Sequence, residues 1–174
     1  SFGDLDNDGD IDIVSSSSGD DTIAWYENDG AADPAFSAAN IATSADGATD
    51  IFVADLEGNI IKQLTNEDGY DAEATVSPVG DKIVFTSIRS GDLELYVCNL
   101  DGDSVVQITN QLGYDGGAFF SNDGKKLIFR ASRPKTKKEI DDYKQLLSEG
   151  LVQPTEMELY ICNVDGSGLK QITS

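Results

Sequence analysis

Residues 63–103 read QLTNEDGYDAEATVSPVGDKIVFTSIRSGDLELYVCNLDGD, and the chain repeats this pattern from residue 107 onward. Gln63 and Tyr70 recur 44 residues later as Gln107 and Tyr114. Each unit alternates apolar and polar residues, is rich in β-branched and aromatic residues, and is divided by acidic or glycine-containing turns. Strands joined by hairpins have this composition. We therefore predict four short antiparallel strands in each unit.

The length of the unit indicates how these sheets are arranged. Four strands in roughly 40–45 residues is the size of one propeller blade. A single blade cannot bury its faces alone, so it is stable only when it stacks on neighbouring blades. The sequence therefore predicts an all-β fold of β-propeller blades, each a four-stranded antiparallel sheet.

The same residues carry a family resemblance. The segments YDAEATVSPVGDKIVFTS, ELYVCNLDG and QIT resemble the WD-like blade repeats of TolB-type propellers, over about residues 51–174. SPVGDK and SNDGKK hold the place of that family's Ser-Pro-Asp-Gly-Lys turn, with Val79 and Asn122 as departures. Because this turn serves to close a hairpin, the departures leave the interpretation unchanged.

The first 50 residues have a different pattern. FGDLDNDGDIDIVSSSSGDDTIAWYENDG resembles an FG-GAP/VCBS repeat, which belongs to another propeller lineage. Only one such unit is present, so a complete propeller of that type is excluded. We therefore divide the chain into an FG-GAP/VCBS-like blade at 1–50 and TolB-like blades at 51–174, a chimaera of two lineages.

The two patterns meet at residues 51–59, IFVADLEGN. This segment is similar to the acidic turn of the first unit and also to LYVCNLDGD and LYICNVDGS of the later repeats. A join at this point leaves strands over. We count four strands in the first unit, the first of them a stub at Ser1–Leu5, then two, then two sets of four. The prediction is about three and a half blades per chain.

Half a blade leaves an unpaired sheet edge, and such edges pair readily with another chain. Two copies would supply enough strands for seven four-stranded blades. We therefore predict that the chain assembles with itself, as a homodimer in the first instance or as a higher ring, with half-blades that complete each other. A monomer with an open edge is the alternative.

Alternating aspartates follow the first strand in the pattern D-x-D-x-D-G-x-x-D: Asp4, Asp6, Asp8 and Asp12. Such carboxylates converge when the loop curls round a cation, and calcium accepts six to eight oxygens at flexible geometry. We therefore predict a structural calcium site. The resemblance to the FG-GAP loop implies side-chain ligands from these four residues and the backbone carbonyl of Asp10. A solvated acidic hairpin is the alternative.

An insertion at about 134–156 interrupts the last repeat. Thr136 followed by Glu139 has the spacing of a capping box, and Gly150 favours a helix end. Four apolar side chains fall on one helical face: Ile140, Tyr143, Leu146 and Leu147. We predict an amphipathic helix of about three turns between the second and third strands of this blade.

Lysines are concentrated in this insertion: Lys135, Lys137, Lys138 and Lys144. Two interpretations remain open. The helix is a docking surface for an acidic partner, such as the acidic first unit of a second copy, or it packs against its own blade and leaves a solvated basic face.

The charge distribution limits the partners. The chain has a formal net charge of −20, and residues 1–50 contain no Lys or Arg. Such a field repels nucleic acid and anionic membranes, although acidity also serves solubility or salt adaptation.

No apolar run approaches the roughly 20 residues of a membrane helix. We find no secretory leader, and the chain begins in mid-repeat like a trimmed or excised fragment. Its location stays open, although the parent families are periplasmic or extracellular.

Catalytic chemistry finds little support in the composition. The chain has no histidine, no GxSxG elbow and no phosphate-binding loop, and Cys98 and Cys162 recur on apolar strands as expected of buried core residues. The pairs Tyr70-Asp71 and Tyr114-Asp115 recur at the repeat period, which is typical of architecture. We predict a non-enzymatic hybrid scaffold, engineered or recombined, that assembles with itself. The alternative is a natural periplasmic or cell-surface module that binds protein, peptide or glycan.

Overall fold

The computed structural model describes residues 2–3, 12–17, 22–28, 36–42, 49–55, 59–153 and 156–173. This part of the chain contains fourteen strands and one helix, as the sequence predicted. The strands form three four-stranded sheets and one two-stranded sheet. By contacts the chain divides into two compact units, Ser1–Asn66 and Glu67–Ser174.

The first unit begins with a four-stranded antiparallel sheet, the first sheet, whose strands are neighbours in chain order. They are β1 (Phe2–Gly3), β2 (Asp12–Ser17), β3 (Thr22–Asn28) and β4 (Phe36–Ala42). In the central strand, Trp25 pairs with Val14 on one side and with Ala39 on the other. The short β1 confirms the predicted stub.

A hairpin of two strands, the half sheet, completes the first unit. It consists of β5 (Phe52–Ala54) and β6 (Ile60–Gln63). The backbone N–H of Asn59 donates to the carboxylate of Asp55 at 2.7 Å and links the end of β5 to the start of β6. The segment that joins the two repeat patterns therefore forms the two strands that the sequence predicted there.

The second unit consists of two four-stranded antiparallel sheets. The third sheet contains β7 (Asp71–Val76), β8 (Lys82–Ser87), β9 (Glu94–Asn99) and β10 (Val106–Gln107). The last sheet contains β11 (Asp115–Phe120), β12 (Lys126–Ala131), β13 (Glu158–Asn163) and β14 (Lys170–Gln171). In both sheets the strands are neighbours in chain order.

Side-chain alternation orients the last sheet. Along β12, Leu127, Phe129 and Ala131 are buried, whereas the residues between them are exposed. Strands have this period of two because successive side chains point to opposite faces. The buried face packs on the third sheet, and the two sheets share one hydrophobic core. Cys98 and Cys162 are both buried, as predicted.

The insertion forms one helix, α1 (Lys137–Ser148). Thr136 is its N-cap, and the reciprocal hydrogen bonds with Glu139 form the predicted capping box. Gly150 has φ of 71°, and its N–H and that of Leu151 bond back to the last turn, which ends the helix. In the described part of the chain, no helix has the length and apolar character needed to cross a membrane.

Candidate functional site

The contact between the third and last sheets shows how one sheet receives the next. Val84 and Leu95 lie on the face of the third sheet that packs on the last sheet, and both are fully buried. They belong to the same core as Leu127 and Phe129 of the last sheet. The Thr75 hydroxyl donates a hydrogen bond across this contact to the last sheet. Repeat positions 84 and 95 therefore face a neighbouring sheet.

The opposite face of the last sheet carries the same repeat positions without a neighbour in this unit. Ile128 corresponds to Val84 at a spacing of 44 residues, and Leu159 to Leu95 at a spacing of 64. Ile128 is 38% exposed and Leu159 is 41% exposed. The strand register places both on the face opposite the buried Leu127. A position that is buried in one sheet is thus exposed in the next.

These exposed apolar residues form one patch, which we call the open face. Phe119 pairs with Ile128, which in turn pairs with Ile161, so three neighbouring strands contribute. The N–H of Ile172 donates to the carbonyl of Leu159 at 2.7 Å and extends the patch. Its members are the exposed residues Phe119, Ile128, Leu159 and Ile172 and the partly buried Ile161. Contiguous apolar patches rimmed by polar groups are typical of interaction sites.

Two lysines border the open face. Lys170 is exposed and pairs with Ile161, so it projects on the same side. Lys126 lies two residues before Ile128 on β12, and its Nζ donates to Asn163 Oδ1 at 3.0 Å. Within the described ranges, neither lysine has a carboxylate within ion-pair distance. The rim of the patch is therefore basic in a chain of strongly negative net charge.

A buried carboxyl pair lies at the contact between the third and last sheets. Glu94 begins β9 and Asp115 begins β11, and both are buried. Arg133 Nη1 lies 2.6 Å from Asp115 Oδ1. Burial, opposed by a hydrogen bond from Thr109 and reinforced by the Asp115 charge, raises the pKa of Glu94 to about 8. Burial also raises the pKa of Asp115, while Arg133 opposes that shift.

The surroundings of Glu94 and Asp115 indicate which of the two carboxyl groups is protonated. Oε2 of Glu94 and Oδ2 of Asp115 are buried without a hydrogen-bond partner among the described residues, whereas Asp115 Oδ1 has the ion pair with Arg133. A proton held between the two carboxyl groups supplies a donor. Because Arg133 neutralises Asp115, we assign this proton to Glu94.

A second cluster bridges the same two sheets at a β-bulge. Glu73 has φ of 57°, an uncommon backbone conformation for a residue with a side chain. Its carboxylate accepts hydrogen bonds from Tyr114 Oη at 2.6 Å, Gly117 N at 2.9 Å, Thr86 Oγ1 at 3.0 Å and Arg130 Nη2 at 2.7 Å. Burial alone raises the pKa of this carboxyl, but the four hydrogen bonds outweigh burial and hold it below its ordinary value.

Aspartate–arginine pairs recur with the repeat. Arg89 Nη2 lies 2.7 Å from Asp71 Oδ2 in the third sheet, 44 residues before Arg133 and Asp115. Each arginine also lies over an aromatic ring, Arg89 over Phe85 and Tyr96, and Arg133 over Tyr160. Both repeats use the aspartate in the same way, as the sequence predicted for the Tyr-Asp pairs.

The helix α1 contacts the turn that precedes β9. The Tyr143 hydroxyl donates a hydrogen bond to Asp92 Oδ1. Beside this contact is a cavity of about 310 Å³ lined by Ile88, Gly91, Asp92, Leu112, Lys144, Leu147 and Ser148. Lys137 and Lys138 form ion pairs with Asp141 and Asp142 one turn later. Much of the predicted basic face is therefore neutralised within the helix, and docking of an acidic partner there stays a prediction.

None of the predicted calcium ligands has a described side chain. Asp4, Asp6, Asp8 and Asp10 lie outside the described residues, and of Asp12 only its backbone position at the start of β2 is described. Within the described ranges, no three His, Cys, Asp or Glu side chains are grouped closely enough to hold a metal ion. The calcium site stays a prediction.

The sequence did not identify the carboxyl pair, the bulge or the open face. Aligned positions in neighbouring repeats give a partial signal for the bulge and for the carboxyl pair. Gly117 aligns with Glu73 at 44 residues, which indicates a left-handed position, and its φ is 58°. Glu158 aligns with Glu94 at 64 residues, but Glu94 is buried beside Asp115 of the last sheet, whereas Glu158 is only partly buried.

Comparison with known proteins now adds the family. Residues 17–153 match the TolB β-propeller domain. The chain belongs to the TolB β-propeller domain family. The match confirms the predicted TolB-like β-propeller fold. It begins inside the segment that we attributed to an FG-GAP/VCBS repeat, so that attribution, the domain boundary at 50/51 and the chimaeric origin stay predictions.

Solved structures share the TolB-type fold. TolB of Agrobacterium tumefaciens is similar with a TM-score of 0.62 and 18% identity, over 86% of this chain and 60% of that one. TolB of Acinetobacter baumannii gives a TM-score of 0.58 and 18% identity, over 93% and 44%. The tricorn protease gives 0.56 and 18%, over 96% and 16%.

These similarities define the fold and no activity, because identity is low. This TolB-family chain spans 60% or less of the length of each of the three structures. A comparison with curated proteins gives no significant match.

Proposed function

We propose that this TolB-family chain is a non-enzymatic propeller scaffold that closes its ring by assembling with further copies of itself. The observation that carries the proposal is the open face. In the third sheet the equivalent residues Val84 and Leu95 are fully buried by the last sheet, whereas Ile128 and Leu159 are exposed. Burying an apolar side chain of this size contributes about 1.5–3 kcal/mol. The open face therefore favours association.

The absence of an enzymatic role is supported by the state of the ionisable groups. The chain contains no histidine. The carboxyls of Glu94 and Asp115, which have the most strongly perturbed surroundings, are sealed between two sheets, so a substrate does not reach them. Glu73 is saturated by four hydrogen bonds. The similarity to a protease structure rests on the fold.

The proposal includes a hybrid origin from two repeat lineages, by engineering or recombination. It is supported by the two-stranded half sheet at the junction. The hydrogen bond from the N–H of Ile51 to Thr65 Oγ1 has the same place as that from Leu95 to Thr109 in the third sheet. The half sheet therefore has the character of the outer two strands of a later repeat. In a continuous array of TolB-type blades, two further strands would precede β5 and β6 and complete their sheet.

A second candidate function is favoured by the cavity beside α1. Ile88, Leu112 and Leu147 give it apolar walls, and Lys144 places an amine there. Among the described residues, Lys144 has no acidic partner. These features suit a natural surface module that holds an apolar, acidic peptide segment of another protein.

Sedimentation equilibrium of the chain at micromolar concentration tests the main proposal. The chain mass is 18.6 kDa. A scaffold that assembles with itself gives a whole multiple of this mass, and a twofold value identifies the homodimer. A mass of 18.6 kDa at every concentration up to about 100 micromolar contradicts it, because the dissociation constant of any assembly then lies above that concentration.

A further inference from the structure

We infer that the cavity beside α1 receives the C-terminal residue of a peptide, with an aliphatic side chain against the apolar walls and a free carboxylate on Lys144. The inference rests on the second candidate function, the binding of an apolar, acidic peptide segment, and names the part of the peptide that binds. Self-assembly through the open face involves other residues, so the two can be tested separately.

The walls and the size of the cavity limit what it holds. Ile88 follows β8, Leu112 lies in the turn before β11 and Leu147 belongs to α1, and all three are half-buried. They leave apolar surface facing one common space. The volume of about 310 Å³ lies at the lower end of the roughly 300–1,000 Å³ range of ligand pockets. A single aliphatic residue suits this space better than an extended segment of several residues.

Lys144 brings a positive charge to the cavity. Its side chain is one of the lining groups, and in the part of the chain that the structure describes no carboxylate lies within ion-pair distance of it. Lys137 and Lys138 of the same helix, in contrast, each have an aspartate partner one turn later. An ammonium beside aliphatic side chains is complementary to an anion that carries an apolar group.

The two other polar side chains of the cavity, those of Asp92 and Ser148, offer acceptors. The Asp92 carboxylate already accepts hydrogen bonds from the N–H groups of Leu93 and Gly113 and from the Tyr143 hydroxyl. A carboxylate has about four lone-pair sites, so about one is left for a ligand. The Ser148 hydroxyl donates to a backbone carbonyl of its own helix at 2.7 Å, which leaves its oxygen as an acceptor. The cavity therefore offers one charged donor together with acceptors for a single N–H.

The C-terminal residue of a peptide has the matching groups on one Cα: a carboxylate for Lys144, one amide N–H for Asp92 or Ser148, and a side chain for the apolar walls. An internal acidic residue carries its charge on a different side chain from the apolar one, so two residues would have to enter. A free amino acid carries an ammonium with three donors, for which Asp92 has too few acceptor sites left. Capture of a C-terminal carboxylate is a recurring mode of peptide recognition.

An NMR titration of the whole chain with short peptides tests the inference. The first probe is an acetylated tripeptide of two glycines and a C-terminal leucine with a free carboxylate, and the second is the same peptide with a C-terminal amide. The methyl signals of Leu112 and Leu147 report binding in the cavity, because both side chains line it. We expect the acid to bind at least about tenfold more tightly than the amide, since the amide offers no charge to Lys144.

The substitution Lys144→Gln identifies the group that selects the carboxylate. We expect this variant to bind the acid and the amide within about twofold of each other, because the charged partner is gone. Lys137→Gln is the matched control: it makes the same change of charge on the same helix, but Lys137 pairs with Asp141 and does not line the cavity. It should keep the full preference for the acid. Circular dichroism verifies that both variants retain the helix.

The outcomes distinguish this inference from the function on which it rests. A preference for the acid that is lost equally in Lys137→Gln shows that the charge of the whole chain selects the carboxylate, and it overturns the inference. Free leucine that binds as tightly as the acetylated acid overturns the assignment to a peptide.

Two further outcomes concern the peptide itself. An amidated peptide with an internal glutamate beside leucine that binds the cavity as tightly as the free acid overturns the C-terminal assignment and leaves the second candidate function standing. If no probe shifts the Leu112 or Leu147 signals at about 10 mM, well above a millimolar dissociation constant, both are overturned.

Discussion

Glu94 of the third sheet and Asp115 of the last sheet are buried beside each other at the contact between these sheets, where burial raises the pKa of both carboxyls. This relationship links the contact to pH. The pKa of Glu94 is raised to about 8, well above its value in an unfolded chain. Between about pH 4.5 and pH 8 the folded state therefore binds more protons than the unfolded state, and the free energy of unfolding falls as pH rises through that window.

The variant Glu94→Gln tests this pH dependence. The amide keeps the shape of the protonated carboxyl and cannot ionise, so we expect the decline in stability between pH 5 and pH 8 to become shallower. At pH 8 the variant should be more stable than the wild type by about 1 kcal/mol. Urea unfolding at several pH values gives the measurement.

Glu158→Gln provides the matched control, because Glu158 holds the same repeat position in the last sheet but is only partly buried and accepts a hydrogen bond from the Thr173 hydroxyl. Its pH profile should follow the wild type. If the free energy of unfolding of Glu94→Gln still falls steeply between pH 5 and pH 8, Glu94 is not the group responsible for the pH dependence.

Glu73 should have the opposite pH dependence. Its pKa is held below the ordinary value, so the stability that it contributes is present above about pH 4.5 and is lost as pH falls below that value. Glu73→Gln should lower the free energy of unfolding at pH 7 by about 1–3 kcal/mol, because Arg130 and Tyr114 lose a charged acceptor. Thermal unfolding from pH 7 down to pH 3 measures both effects. The exposed Glu156→Gln should change neither, and equal behaviour of the two variants would contradict the bulge network.

Tyr143 should anchor the helix to its own unit. Tyr143→Phe removes the hydroxyl that donates to Asp92, so we expect the α1 amides to exchange with solvent several-fold faster, equivalent to about 1 kcal/mol. Hydrogen exchange read by mass spectrometry resolves the helix as one peptide. Tyr160→Phe loses a hydroxyl that donates to Gln171 in the last sheet, so it serves as the control. Unchanged protection of α1 in Tyr143→Phe would exclude the anchoring role.

The aspartate loop should bind calcium in preference to magnesium, since its carboxylates suit a large cation with flexible coordination. We expect calcium to raise the melting temperature of the wild type and to release or absorb heat in calorimetry, and Asp6→Asn with Asp8→Asn to abolish both effects. Asp101→Asn, in the acidic turn of the third sheet, is the control. A wild-type chain that gives no heat and no shift at millimolar calcium would rule the site out.

Local features of this fold could be predicted from the sequence, whereas contacts between sheets could not. The capping pair Thr136 and Glu139 fixed the start of α1, and the repeat period fixed the strand count. The Glu94–Asp115 pair forms only when two sheets stack, so the recurring Tyr114-Asp115 pattern did not indicate that Asp115 lies beside Glu94. The open face was missed for a related reason. Ile128 has the same apolar character as its buried counterpart Val84, so the pattern alone does not show which of them lacks a neighbour.

A crystal structure of the wild-type assembly shows most directly what covers the open face. We predict that Ile128 and Leu159 of one copy are buried by a sheet of another copy. A structure in which these two apolar side chains remain in solvent, while copies meet through β5 and β6 or do not meet at all, would contradict it.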